Sequence, residues 1–454
     1  MRIVLVGCGK LGSMIAENLV NEDHNVTVID TDEAALEKFS DVDVLTVNGD
    51  GVSVETLEEA DIRHADILIA TTISDEINML SCIMGKKLGA KYTVARIREP
   101  RYFHSIGFFI QELSIDFIAN PERATAREIS RMLRFPYASA GIETFARGLV
   151  EMVEMRVNGD EVFAERPLNE LYRRFPSMPR VLFCGVRRGE EAFVPKGDFI
   201  IREGDILSVT ANYATITAFF HYIGRSSKAA KDALIIGGSR IAFYLVTLLS
   251  EIGIKAKLIE LKPDKARRLD EALSKATIIC GDGTDQALLM SEGLESTDSF
   301  IALTDRDEEN LMAGLYASKH CKGRIIVKSN RVNYSDLLSS LGMDGIVSPT
   351  QIACNMIMRV VRARVAGENS GVERMYKIMG GKGEALEFIA PSDAPYLNKP
   401  LSSLKVDPNS LVAVIVRGNK VIVPFGNDTI EARDHIIIIT MRSGTLTLND
   451  VLKV

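Results

Sequence analysis

The stretch that decides the fold is Ile3-Val4-Leu5-Val6-Gly7-Cys8-Gly9-Lys10-Leu11-Gly12, followed downstream by Val26-Thr27-Val28-Ile29-Asp30. Residues 3–6 are a short unbroken apolar run, the pattern of a strand buried on both faces. Gly7-x-Gly9-x-x-Gly12 follows at once. Residues 13–21 then show helical spacing, with Ile15, Leu19 and Val20 on one side. Residues 26–29 read as a second strand, and Asp30 closes it. Strand, glycine loop, helix, strand and acid in this order are the pattern of a nucleotide-binding βαβ unit, as a bare glycine pattern would not be; the other reading is the same fold with its ligand lost.

Each residue of the loop has a chemical reason. Gly7 permits the tight turn. Gly9, without a Cβ, lets a diphosphate reach the backbone amides. Gly12 lets the helix pack close to the strand, and Leu11 lies in its first turn, where amides carry partial positive charge. Lys10 adds a cation near the phosphates. Asp30 can accept hydrogen bonds from both ribose hydroxyls, and its charge disfavours a 2′-phosphate.

The pattern recurs once, with a period near half the chain. Gly7-Cys8-Gly9-Lys10-Leu11-Gly12 is matched by Gly237-Gly238-Ser239-Arg240-Ile241-Ala242, and Val28-Ile29-Asp30 by Leu258-Ile259-Glu260. Asn48-Gly49-Asp50-Gly51 is matched by Cys280-Gly281-Asp282-Gly283, and Asp75-Glu76-Ile77-Asn78 by Asp307-Glu308-Glu309-Asn310. Asn120-Pro121 aligns with Ser348-Pro349; both read as helix starts, a capping residue before a proline with fixed φ. Arg188-Gly189-Glu190-Glu191 and Arg417-Gly418-Asn419-Lys420 each sit between apolar runs and predict a hairpin. Gly204-Asp205 then matches Arg433-Asp434. The polar segment 224–231 is the expected linker between halves.

Gly237, Arg240, Glu260 and Asp282 are therefore the second cleft's candidate binding residues. Ser239 and Ala242 replace two glycines there and crowd the backbone, so a weakened site and an empty structural copy are both open. Asp50 and Asp282 close the third strands. Thr71 and Thr72 end the fourth strand, as Thr304-Asp305 do in the second copy. Ligands in open parallel sheets lie at such strand ends, but for Thr71, Thr72, Asp75 and Asp307 a helix cap is the favoured reading. Arg96 and Arg98, which end the fifth strand, either reach a terminal phosphate or form surface ion pairs.

Composition narrows the function. The chain has 454 residues, enough for about three or four domains, with 46% apolar and 25% charged residues and a net charge of −7. That balance argues against nucleic acid as a partner. The cysteines (Cys8, Cys82, Cys184, Cys280, Cys321, Cys354) form no C-x-x-C pair and suit a reducing cytoplasm. The uncharged stretch 206–224 carries too many polar residues for a membrane span and reads as a strand and a short helix. The histidines are scattered, and no G-x-S-x-G, H-E-x-x-H or Walker-type motif occurs. We expect no catalytic residue and no metal site. The helix from Pro121 places Arg123, Arg127, Arg131 and Arg134 on one face, beside Ile129, Met132 and Leu133. It reads either as an amphipathic helix with a solvated face or as one that docks onto a neighbouring subunit or repeat.

The GCGKLG loop, the VTVID strand, the NGDG turn and their ordered duplication resemble the RCK (regulator of potassium conductance) family of nucleotide-binding regulators. The resemblance implies an α/β fold: a tandem duplication of a Rossmann-type doubly wound parallel sheet domain plus a small α+β RCK C-terminal domain. The expected domains span 1–137, 138–224, 231–366 and 371–454. It further implies NAD(H) or ATP/ADP as ligand, held by Gly7, Gly9, Lys10, Gly12, Asp30 and Asp50. Also implied are a homotetramer whose eight nucleotide domains form a ring, a membrane potassium channel subunit of the TrkH type as partner, and a cytoplasmic, peripheral location on the inner face of the cell membrane. The other readings are an NAD-dependent oxidoreductase with a degenerate second half, or a regulator of another cation channel or exchanger.

Overall fold

The computed structural model describes residues 1–134, 142–159, 161–225, 230–330, 343–365, 372–442 and 447–453. The chain forms two compact units, and each draws on both halves: Met1–Arg134 with Ala229–Val361, and Phe135–Lys228 with Arg362–Val454. Residues 226–229 of the expected linker lie outside the described residues.

The first unit holds two six-stranded parallel sheets of the same topology. In the first, the strand order is Val44–Asn48, Asn25–Asp30, Arg2–Val6, Ile67–Ala70, Tyr92–Arg96, Phe117–Ala119. The second repeats it as Ala276–Cys280, Lys255–Glu260, Asp232–Ile236, Ser299–Ala302, Arg324–Lys328, Gly345–Val347. Ile67–Ala70 and Ser299–Ala302 are buried throughout, as strands covered on both faces must be. The order reverses beside the glycine-loop strand, and a crevice opens at the carboxyl ends there. Ile15 and Leu19 are fully buried and Val20 packs against the same core, as their spacing predicted.

The helices after the sixth strands start where the proline motifs placed them. Asn120 Oδ1 accepts the Arg123 amide at 2.8 Å and Ser348 Oγ the Gln351 amide at 3.3 Å. The helix Pro121–Arg134 does not cover its own sheet. Ala126, Ile129 and Leu133 enter the core of the second sheet, among Ile241, Leu245, Leu249 and Ile301. In return, Ala353, Cys354, Ile357, Met358 and Val361 of the helix Pro349–Val365 enter the core of the first, among Ile3, Leu5, Ile15 and Leu19. Of the two readings of the arginine-bearing helix, docking onto the other repeat is the one seen. At roughly 1.5–3 kcal/mol for each fully buried large aliphatic chain, this exchange binds the two sheets into one body.

The second unit holds two five-stranded antiparallel sheets, ordered Glu191–Phe193, Leu182–Arg188, Ile206–Ala211, Val150–Arg156, Ile142–Phe145 and Val372–Ile378, Gly383–Ile389, His435–Thr440, Ser410–Arg417, Lys420–Ile422. The predicted hairpins are present: Arg188 pairs with Glu191 and Arg417 with Lys420, and Gly189 and Gly418 take φ +57 and +60. Residues 206–224 form the strand Ile206–Ala211 and the helix Tyr213–Tyr222. Asp205 and Asp434, each 1% exposed, are gripped by two guanidinium nitrogens of Arg188 and Arg417 respectively, at 2.8–3.0 Å. The two sheets also exchange bonds. The Ala146 amide donates to Glu387 at 3.1 Å and the Met379 amide to Glu154 at 3.0 Å. Among the described residues no helix is long and apolar enough to cross a membrane.

Ile357→Ala should lower stability by roughly 2–5 kcal/mol, the cost of emptying a closed apolar site. Chemical denaturation followed by circular dichroism checks this; a loss under about 0.5 kcal/mol, the range of surface substitutions, would show that the helix face is not a core element.

Candidate nucleotide cleft

The first glycine loop leaves the strand Arg2–Val6 at Gly7, whose φ of +92 suits glycine. A Cβ there would lie 2.8 Å from the Thr72 amide nitrogen, so the loop rests on the end of the fourth strand. At Gly12 a Cβ would meet the Gly7 carbonyl at 1.9 Å, which is the close helix–strand approach the spacing predicted. Gly9 has open space where its Cβ would be, and it starts the helix Lys10–Asn21 with no side-chain cap. The first-turn amides thus face the crevice as a set of donors for a diphosphate. Lys10 is exposed beside them, and the Leu11 side chain is buried in the core, so Leu11 contributes only its amide.

Asp30 stands at the end of the neighbouring strand. Its Oδ2 accepts the Cys8 amide at 2.7 Å and its Oδ1 the Asp32 amide at 3.0 Å. Burial raises the carboxyl pKa, but the amide bonds from Cys8 and Asp32 outweigh it, and the group lies below the usual aspartate range. It is held as a carboxylate with lone pairs to spare, the state a pair of ribose hydroxyls requires. Asp50 is exposed at the crevice mouth and accepts the Val52 amide at 3.1 Å.

In the second crevice, Glu260 repeats the role of Asp30 by accepting the Gly238 and Lys262 amides at 2.9 Å each. Lys265 Nζ also reaches it, at 3.1 Å. Ser239 caps the helix Arg240–Glu251 through the Ala242 amide at 3.3 Å. Gly237 repeats the turn at φ +86, and Asp282 accepts the Thr284 amide and hydroxyl at 2.8 and 2.7 Å.

Two tandem crevices of this kind, each followed by a small antiparallel sheet, correspond to two family models in alternation. The TrkA-N domain matches residues 3–121 and 233–349, and the TrkA-C domain residues 152–224 and 385–453. The chain belongs to the TrkA family. It is 30% identical over 445 residues to the Trk system potassium uptake protein TrkA of Haemophilus influenzae, covering 96% of this chain and 95% of that one. It is 29% identical over 451 residues to the TrkA homolog 1 of Methanosarcina mazei, covering 98% of each. The solved GsuK channel bound to NAD has the same fold, with a TM-score of 0.63 and 17% identity across 99% of this chain and 78% of that one.

Around the TrkA-N crevices the structure revises several sequence readings. Thr71, Thr72, Asp75 and Asp307 are not helix caps. Ser74 caps the helix Asp75–Leu88 through the Ile77 amide, and Arg306 starts the helix Asp307–His320 without a side-chain cap. Asp75 instead accepts the Arg98 and Glu99 amides at 2.8 Å each, and Asp307 the Asn330 amide at 2.9 Å. Thr71 Oγ1 donates to the Gly7 carbonyl at 3.0 Å and so fixes the loop. Arg98 is committed to Asp75 at 3.2 Å and to the Ile73 carbonyl, with its side chain 15% exposed, so it makes no surface ion pair. Arg96 is half-buried: burial, then the charge of Arg98, pulls its pKa down, while Glu122 opposes them. Arg240, expected beside the second cleft's phosphates, pairs with Glu99 at 3.4 Å.

The residue that sequence reasoning passed over is Asn78. Fully buried, it accepts the Thr72 amide at 2.7 Å and donates to the carbonyls of Thr72 and Arg96 at 3.2 and 2.9 Å. Asn310 makes the same bracket between Thr304 and Lys328. The repeat of the D-E-x-N match was the available signal. Because the native Asp30 carboxyl titrates below its unfolded counterpart, its stabilising contribution is complete above about pH 4 and disappears as pH falls through the lowered native value. The gap in thermal midpoint between wild type and Asp30→Asn should therefore narrow as pH drops from about 6 to about 3; a gap that stays constant would contradict the amide-held carboxylate.

Proposed function

We propose that this chain is the cytoplasmic regulatory subunit of a potassium uptake system. It binds NAD(H) or ATP/ADP in the first cleft and gates a membrane channel subunit of the TrkH type by changing the shape of a homotetrameric ring at the inner face of the membrane. The observation that carries the reading is the first crevice itself: uncapped helix amides beside an open Gly9, with an amide-held carboxylate one strand away. Gly7, Gly9, Lys10, Leu11, Gly12 and Asp30 make the core of the site, with Asp50, Thr71, Thr72 and Arg96 around it. The relatives' names, Trk system potassium uptake proteins, support the transport role. The GsuK structures, described as bound to NAD and to ADP, support the ligand class. Both ligands share an adenosine diphosphate moiety. The role is one of binding, not turnover.

A contiguous set of contacts leads away from the cleft. Gly7 rests on Thr72, Asn78 ties Thr72 to the Arg96 carbonyl, and two residues later the Arg98 carbonyl accepts the Tyr244 hydroxyl at 3.3 Å. Glu99 meets Arg240 beside it. A ligand that settles on the first loop thus bears on the segment where the two nucleotide folds touch. It shifts a ring only by binding one shape more tightly than the other. Taking a ring from 1:99 to 99:1 requires about 10⁴-fold, ~5.5 kcal/mol, of differential affinity. Shared among four chains, that is about tenfold per first cleft.

Asp30→Ala should weaken NADH and ATP binding by roughly ten- to hundredfold, the worth of hydrogen bonds to a charged group. Fluorescence or calorimetric titration of the full chain reads this directly, and equal affinities for wild type and variant would mean the cleft is misassigned.

A further inference from the structure

The duplicated crevices share a backbone but not their anchor chemistry. An adenosine-diphosphate ligand needs three things from such a fold: free first-turn amides, a free acid for the ribose, and a cation near the phosphates. In the first crevice all three are available. Gly9 offers no side chain to the helix amides. Among the described residues no lysine or arginine is ion-paired with Asp30, and Lys10 makes no ion pair.

In the second crevice each requirement already has an internal partner. The Ser239 hydroxyl takes the Ala242 amide. Lys265 Nζ takes Glu260, whose side chain is only 6% exposed. The Arg240 guanidinium is turned to Glu99 of the first nucleotide fold. The Leu269 methyl also roofs the loop, 2.4 Å from where a Cβ on Gly238 would stand. The acid is held low in pKa by the Lys262 amide and by Lys265, against the effect of burial. It is charged and satisfied with no ligand.

We infer that this chain carries one open and one internally occupied nucleotide cleft, with Ser239, Arg240 and Lys265 as the residues that decide the difference. It therefore takes a single adenosine-diphosphate ligand per chain. The inference rests on the nucleotide reading of the first cleft. It gives the second fold a mechanical role: the start of its helix Arg240–Glu251 serves as a fixed abutment whose Arg240 and Tyr244 meet the Arg98–Glu99 segment of the first. It also excludes the alternative of two equal sensors in series.

The test is isothermal titration calorimetry of the full chain with ADP as the probe. One ADP per chain is expected for the wild type, and at least a tenfold loss of affinity for Asp30→Ala. In the combined variant Ser239→Gly/Lys265→Ala, checked for folding by its thermal melt, a second and weaker site should appear, bringing the total towards two. Two sites in the wild type, or a full-affinity site that survives Asp30→Ala, would overturn the inference while leaving nucleotide binding intact. A folded combined variant that still takes one ADP would overturn the assignment of Ser239 and Lys265 as the occupants. If the combined variant fails to fold, the wild-type and Asp30→Ala titrations decide the matter. A wild type that takes no ADP would remove the nucleotide reading itself, and the inference with it.

Discussion

The first unit depends on an exchange of apolar helix faces. The helix Pro121–Arg134 cannot bury Ala126, Ile129 and Leu133 on its own sheet, because Ala353, Ile357 and Val361 of the other half take that place. Neither nucleotide fold has a complete core without the other, so their relative position is set by side-chain packing rather than by a linker. Packed interiors are nearly as dense as organic crystals and respond to strain by switching arrangement, not by gradual deformation. On the proposed function, that property is what the sensor needs from its scaffold. The second unit repeats the principle with polar groups: Glu154 and Glu387 each receive an amide from the opposite small domain.

On the proposed reading, the duplicated crevices divide the labour between them. The strand order, the turn glycine and the buried asparagine bracket are the same in both copies. What differs is a handful of side chains at the crevice: Gly9 against Ser239, Lys10 against Arg240, Ala35 against Lys265. Small changes suffice because a nucleotide cleft is a set of unsatisfied groups. Supplying internal partners removes the need for the ligand without disturbing the fold.

Much of this was readable in the sequence, for physical reasons. Buried parallel strands are short apolar runs, a glycine turn has fixed spacing, and a two-residue hairpin announces itself as Arg-Gly-x between apolar segments. These signals are local, and the duplication doubled each of them. The helix exchange was not readable, since periodicity reports that a face is apolar and not which sheet it meets. Asn78 was noted only as part of the duplicated match, because a buried amide and a solvated one look alike in a string of letters. Asp75 passed as a cap for a related reason: its partners, the amides of Arg98 and Glu99, lie far along the chain. Lys265 gave no sign at all, being one lysine among the charged residues of the helix Pro263–Ala272.

On the proposed function, ligand entering the first cleft is felt where Arg98 and Glu99 meet the helix Arg240–Glu251. Hydrogen–deuterium exchange of the full chain, with and without saturating ADP, tests it most directly. Slowed exchange is expected in residues 7–12 and 30–32, together with a change in residues 96–99 and 240–244. Protection confined to residues 237–242 and 260–262, or an unaltered pattern throughout, would contradict it.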